Sequence, residues 1–284
     1  MGFTRVGIVG SGIMAAGIAE VAAVHGHEVV VRGRSHSSAE KVRDAVAASL
    51  ARQVAKDRCS PEARDATVGR LAVTTDVDAF SDVDLVIESV VEDLAVKRHL
   101  FVELDQVCDG RAVLATNTST LPVVELAMVT DRPEKVCGIH FFNPAPAMPL
   151  VEVARPITAS DETMAAACGF AERCGKEPVV VKDQAGFVVN ALLFPYLNHA
   201  VRLLEQGVAD KAGIDAAMRG GCGFPMGPFA LLDLVGMDTS VAILDALYAE
   251  HREPQYAAAP LLRRMVAAEH LGRKSGLGFY RYGD

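Results

Sequence analysis

The sequence is short of positive charge: its 284 residues carry 28 Lys plus Arg against 36 Asp plus Glu, a formal net charge of −8. Non-specific binding to nucleic acid or to an anionic membrane draws on a basic face, and this balance argues against both. Local basic clusters remain available for a phosphorylated small molecule. Cysteine is sparse and scattered, and Cys59, Cys108, Cys137, Cys168, Cys174 and Cys222 include no C-x-x-C pair. Neither a disulfide framework nor ordinary zinc spacing fits, so reduced, mostly buried thiols and no metal are expected. No apolar run reaches the roughly 18 residues of a membrane span. The opening Met1-Gly2-Phe3-Thr4-Arg5-Val6 has no signal-peptide layout and no Ser or Thr at the sixth position for myristoylation. Internal repeats and low-complexity tracts are missing too. These absences predict a soluble, cytoplasmic protein.

What is present is apolar and periodic. Half of the residues are hydrophobic, enough for a sizeable core. Short β-branched runs at Arg5–Val9, Glu28–Arg32, Leu71–Thr74, Leu85–Glu88, Val113–Thr116, Val136–Phe141, 150–154 and 178–181 read as strands. The first of them are apolar on both faces, as in strands covered by helices on either side. Helical stretches alternate with these runs, which predicts an α/β domain of Rossmann type, a doubly wound and mostly parallel sheet, over residues 1–183. A polar helical insertion lies at 38–70. From 184 to 284 no strand pattern returns, and helices are expected at 187–206, 210–219, 229–234, 239–251 and 260–270. That half reads as an all-helical C-terminal domain.

The first strand runs into Gly10-Ser11-Gly12-Ile13-Met14-Ala15 and then a helical pattern. Gly10 permits the tight turn, Gly12 lets a pyrophosphate approach the backbone, and Ala15 keeps the third slot small. The pyrophosphate would rest on the N–H groups at Gly12, Ile13 and Met14, where the helix dipole favours an anion. A bare strand-to-helix turn is the plain alternative. Cofactor selectivity is read at the end of the second strand, where an acid suits NAD and an arginine suits NADP. Here the chain has Arg32-Gly33-Arg34-Ser35, with no acidic residue between Val29 and Ala39. Gly33, lacking a side chain, leaves room for a 2′-phosphate that Arg32 and Arg34 would bind, so NADP(H) is favoured over NAD(H).

His140 ends a strand in Gly138-Ile139-His140-Phe141-Phe142-Asn143-Pro144, at the edge where ligands bind in such sheets. Glu152 interrupts the apolar run Leu150-Val151-Glu152-Val153-Ala154 twelve residues later. A carboxylate in a buried strand needs a partner. A return strand would set it against His140 and make a general base; on pattern alone both residues could equally be satisfied structural groups.

The ordered blocks resemble the 3-hydroxyacyl-CoA dehydrogenase family, over essentially the whole chain. They are the glycine motif, Val86-Ile87-Glu88 to Val91-Glu92, Thr116-Asn117-Thr118-Ser119, His140-Phe141-Phe142-Asn143-Pro144-Ala145-Pro146, Gly186-Phe187-Val188-Val189-Asn190, Pro225-Met226-Gly227-Pro228 and Gly272-Arg273-Lys274-Ser275-Gly276. The resemblance implies interconversion of a short-chain (S)-3-hydroxyacyl-CoA and its 3-oxo form by hydride transfer with a nicotinamide cofactor. His140 would act as general acid and base oriented by Glu152, with Ser119 and Asn190 on the substrate oxygens. Glu92, Lys97, Asn117, Ser119, Asn143 and Lys274 match cofactor contacts, although Lys97 taken alone reads as a surface lysine on an exposed helix. Ser49 and Lys56, seven residues apart and so along one helical face, match positions that hold coenzyme A. The helical half resembles the family's dimerisation and substrate-closing domain, which implies a homodimer. Two departures stand out: Ala15 in the third glycine slot, and the missing acid near Gly33. A sugar-acid dehydrogenase of the gulonate type and a non-catalytic nucleotide-binding protein are the competing readings.

Overall fold

A computed structural model describes residues 2–283. The chain divides into two compact units, Met1–Gln184 and Ala185–Asp284. The first is built on one eight-stranded sheet in the order β3-β2-β1-β4-β5-β6-β7-β8. Its strands are β1 (Arg5–Val9), β2 (Glu28–Arg32), β3 (Leu71–Thr74), β4 (Leu85–Glu88), β5 (Val113–Thr116), β6 (Val136–Phe141), β7 (Leu150–Arg155) and β8 (Glu177–Lys182). Strands β1 to β6 run parallel, β7 runs antiparallel to β6, and β8 is again parallel to β7.

The two-sided burial expected of the first strands holds from Val6 to Val9 in β1 and from Val29 to Val31 in β2, and β4, β5 and β6 are buried along their whole length. The helices that cover them are amphipathic where one face meets water and apolar throughout where both are covered. α1 (Ile13–Val24) is close to the second kind, apolar except for the buried Glu20, with Ala15, Ile18, Ala19, Ala22 and Ala23 fully buried. Its small residues let backbone approach backbone.

The expected insertion at 38–70 is two helices, α2 (His36–Val54) and α3 (Pro61–Gly69). Its polarity is one-sided. Ala39, Val42, Val46 and Leu50 recur at helical spacing and are buried, the last three in the same core as β1 and α1. α2 is therefore an outer layer over α1 as well as a crossover. Ser35 caps it, accepting a hydrogen bond from the Ser38 N–H while the Ser38 hydroxyl meets the Ser35 backbone. On the unit's other helices, α4 (Leu94–Val107) is capped by Asp93 and α6 (Asp161–Arg173) by Ser160, and α5 (Val123–Ala127) receives Asp183 on its first two N–H groups.

The second unit is helical among the described residues, with α7 (Val189–Glu205), α8 (Lys211–Cys222), α9 (Pro228–Val235), α10 (Met237–His251) and α11 (Pro260–Ala267). α7 begins two residues later than the sequence pattern suggests and runs through Pro195 as one element. Phe194, Leu197, Val201, Phe229, Leu232 and Leu247 centre its core. Two buried aspartates fasten it. Asp215 of α8 accepts the N–H groups of Phe229 and Ala230 and the Tyr280 hydroxyl. Asp233 of α9 accepts those of Phe279 and Tyr280 and the Tyr282 hydroxyl, pinning the tail. No helix is long and apolar enough to cross a membrane among the described residues.

Candidate active site

The sheet reverses its direction of growth beside β1, which has β2 on one side and β4 on the other. Such a switch point opens a crevice at the carboxyl ends of the strands. Gly10 sits in it with φ +137°, and a Cβ there would run into the Ser89 carbonyl after β4. Only glycine makes this turn. Gly12, the N-cap of α1, has nothing within 4 Å of an added Cβ and no side-chain cap. The first N–H groups of α1 thus face open space, while Ile13 is 78 % exposed beside them. A dinucleotide's pyrophosphate fits this opening in charge and in shape.

The end of β2 departs from expectation at two points. Arg32 is occupied: its guanidinium holds both oxygens of Glu103 on α4, at 2.9 and 3.0 Å, and also donates to the Thr75 carbonyl. The room beside Gly33 is filled by α2. A Cβ at Gly33 would lie 2.5 Å from Ser38 Oγ and 2.7 Å from the Ala39 nitrogen. Side-chain space there is absent because the first turn of α2 packs directly on the strand end. Arg34 and the hydroxyls of Ser35 and Ser37 are exposed.

Beyond the glycine turn, the ends of β4 and β5 carry a buried charge network. Lys97 of α4 is 1 % exposed, not a surface lysine, and donates to both oxygens of Glu88, at 2.6 and 2.8 Å. Glu88 closes β4 and also accepts the Thr116 hydroxyl at 2.7 Å and the Val90 N–H at 2.6 Å. A carboxylate and an ammonium are buried at tolerable cost only when paired and saturated in this way. Lys97 stands 3.4 Å from Glu92, whose Oε1 accepts the Thr118 hydroxyl at 2.5 Å and the Ser119 N–H at 3.1 Å. The loop bearing Ser119 is thereby folded onto Glu92. Asn117 uses its side-chain oxygen to accept the Phe141 N–H at 2.8 Å, tying the end of β5 to the residue after His140.

His140 and Glu152 face each other in the antiparallel register of β6 and β7. Nδ1 lies 2.9 Å from Glu152 Oε2, with the two side chains 9 % and 1 % exposed. A carboxylate can only accept, so Nδ1 carries the proton and Nε2 is left as the basic nitrogen. Phe142 packs on the imidazole with ring centres 4.6 Å apart. The carboxyl ends of β1, β4, β5 and β6 thus bring together the glycine turn, Glu92, Lys97, Asn117, Ser119 and the His140–Glu152 pair. Asn143 is exposed in the loop that follows.

The remaining residues lie elsewhere. Asn190 is buried in the first turn of α7, and Lys274 pairs with Asp238 at 2.6 Å, both within the second unit. Ser49 is half-buried on α2 and is hydrogen-bonded to Glu20 of α1. Lys56 falls past the end of α2, in the exposed turn after Ala55, so the two do not share a helical face. Burial pushes the Cys137 and Cys174 thiols up to about 12 and Cys108 to about 11, which keeps all three protonated. No cluster of potential metal ligands exists among the described residues.

Sequence reasoning passed over Glu88, Glu103 and Thr116 as site-building residues. For Glu88 a signal existed, an acid ending the apolar run Leu85-Val86-Ile87; for Glu103 none did, since a helix-face glutamate reads as solvated.

A mostly parallel sheet that switches direction beside an uncapped, glycine-opened helix belongs to the dinucleotide-binding class of folds. The profile described as "3-hydroxyacyl-CoA dehydrogenase, NAD binding domain" matches residues 5–184, and "3-hydroxyacyl-CoA dehydrogenase, C-terminal domain" matches 186–282. The chain belongs to the 3-hydroxyacyl-CoA dehydrogenase family. It is 47 % identical over 280 residues to 3-hydroxybutyryl-CoA dehydrogenase of Mycobacterium tuberculosis, covering 98 % of each chain. The crystal structure of M. tuberculosis FadB2 superposes with a TM-score of 0.98 at 46 % identity, covering 100 % of both chains. That of (S)-3-hydroxybutyryl-CoA dehydrogenase PaaH1 from Ralstonia eutropha gives 0.96 at 39 %, covering 99 % of this chain and 100 % of that one.

Proposed function

We propose that the protein interconverts a short-chain (S)-3-hydroxyacyl-CoA and the corresponding 3-oxoacyl-CoA, with His140 as general acid and base. The observation that carries the reading is the 2.9 Å contact of His140 Nδ1 with Glu152, which leaves Nε2 basic at the ligand-binding edge of the sheet. The full-length relatives named for this activity support it. The nicotinamide cofactor, when bound, accepts or supplies the hydride. In oxidation Nε2 takes the proton of the 3-hydroxyl; in reduction it returns that proton to the carbonyl oxygen. Glu152 orients the ring and stabilises its charged form. Ser119 and Asn190 hold the substrate oxygens and polarise the carbonyl.

For the cofactor we assign Gly10, Gly12, Ile13 and Met14 to the pyrophosphate, and Glu92, Lys97, Asn117, Ser119, Asn143 and Lys274 to the remainder. Within that set, Lys97 acts by fixing Glu92 and Glu88, and Asn117 by fixing the chain after His140. NADP(H) is the preferred form. Arg32 is held by Glu103, so the preference rests on Arg34 with Ser35 and Ser37, at a strand end where α2 excludes an acidic side chain at Gly33. Ser49 and Lys56 are assigned to coenzyme A. A cytoplasmic homodimer through the helical unit is part of the reading, supported by Leu192, Val208 and Leu234, which are 72, 66 and 49 % exposed there. The test is reduction of acetoacetyl-CoA with NADPH and NADH side by side. Turnover with a higher kcat/KM for NADPH is expected; turnover only with NADH removes the cofactor assignment, and none with either removes the activity.

A further inference from the structure

Lys176 is a buried cation that the reaction outlined above does not use. Its place is set by backbone geometry. α6 ends at Arg173, Gly175 follows with φ +67°, and the N–H groups of Gly175 and Lys176 return to the carbonyls of Glu172 and Ala171. This double bond pattern is a Schellman stop, with Lys176 as the first residue beyond the left-handed glycine. The lysine is 9 % exposed, and its ammonium donates to the carbonyls of Ala145 at 2.7 Å, Met148 at 2.8 Å and Pro146 at 3.4 Å. Three N–H donors meet three acceptors, all from the loop at residues 142–149 that joins His140's strand to Glu152's.

That loop has few other means of holding its shape. Pro144, Pro146 and Pro149 bring no backbone N–H. Its own hydrogen bonds are those of Ala147 and Met148 to the Pro144 carbonyl, and the Glu177 N–H caps it at the Pro149 carbonyl. On its other side Ala145 lies against α1, where a Cβ on Gly17 would come within 3.1 Å of the Ala145 Cβ. A strained or slack loop here would shift Asn143 and the entry into β7 together. Burial lowers the Lys176 pKa from the ordinary lysine value.

We propose that Lys176 is a positioning residue: its ammonium locks the loop between β6 and β7 and so sets the working geometry of Asn143 and the His140–Glu152 pair. The proposal rests on the function proposed above. Lys176→Met keeps the side-chain length and removes every donor. We expect kcat for acetoacetyl-CoA reduction to fall roughly tenfold to a hundredfold, as for a misplacement of about an ångström, with KM changed less than about threefold. Amide exchange at Ala147 and Met148 should accelerate while that of the β6–β7 ladder stays slow. In Lys176→Ala, ethylammonium should restore part of the rate and tetramethylammonium, which has no N–H, should not. A Lys176→Met enzyme with unaltered kcat, a loss accompanied by unaltered loop exchange, or equal effects of the two salts overturns the proposal. The exchange measurement needs no substrate. A failure of the assigned activity would appear in the wild type as no turnover, and is thereby separated from a failure of the lock.

Discussion

At the scale of single residues, the site depends on charges that are buried because they are saturated. Lys97 and Glu88 are the extreme case, at 1 and 0 % exposure. Removing one partner strands the other in a low-dielectric interior, whereas removing both does not. Lys97→Met should therefore destabilise the protein by about 3–5 kcal/mol, and adding Glu88→Leu should recover most of that loss. Denaturant unfolding of the two variants checks this; a double variant no more stable than the single one would assign the cost to packing. Arg34 is the opposite case, an exposed charge that would gain a phosphate partner only if NADPH binds there. Arg34→Ile should lower kcat/KM for NADPH by about tenfold or more, the worth of one charge-assisted bond, and leave that for NADH nearly unchanged. Equal effects on both cofactors would show that Arg34 only faces solvent.

At the scale of elements, the strands were legible because β-branched runs bounded by turns have few other uses. Six of the eight have the bounds read from the sequence, and β7 and β8 extend slightly further. The His140–Glu152 juxtaposition needed one more fact, the antiparallel return of β7, and the buried acid in Leu150-Val151-Glu152-Val153 was the clue to it. What could not be read was the facing of helices. α2 looked like a solvated insertion because its polar residues outnumber the four that pack. Lys97 looked exposed because nothing in α4 announces an acid at the end of β4. Gly33 looked like free space because the approach of α2 is a tertiary event.

The α1–α2 junction offers a pH test of this layering. Glu20 of α1 is buried against α2, where it accepts hydrogen bonds from Ser49 and from Gln53 at 3.0 Å. Burial raises its pKa above the ordinary 4.5, outweighing these bonds and the Arg52 charge. The fold therefore favours the protonated carboxyl. That contribution is complete below about 4.5 and is lost as pH rises through the raised value. Glu20→Gln, permanently neutral, should melt at a higher temperature than wild type at pH 7, with the gain shrinking as pH falls towards 4.5. A variant less stable at pH 7 than wild type would mean that the ionised Glu20 is held by Arg52 rather than penalised.

At the scale of the whole molecule, the motif order along the chain was more telling than any one motif. A glycine turn alone marks many nucleotide sites, and a buried histidine alone is most often structural. Their succession over 284 residues, ending in the Gly272-Arg273-Lys274 tail, pointed to the family that the comparisons identify. The same order explains the division of labour within each unit. The first unit gathers the charged network and the His140–Glu152 pair on one sheet edge. The second is a helical unit in which Asp215 and Asp233 tie α8 and α9 to the chain around Phe229 and to the tail at Phe279–Tyr282.

If His140 moves the substrate proton, one pair of measurements on His140→Gln will show it. kcat for acetoacetyl-CoA reduction should fall roughly 100-fold or more, as expected for loss of a general acid. The dissociation constant for the reduced cofactor, followed by its fluorescence, should stay close to wild type. A variant that retains a rate within about threefold of wild type would contradict the assignment, because glutamine has no basic nitrogen to carry the proton.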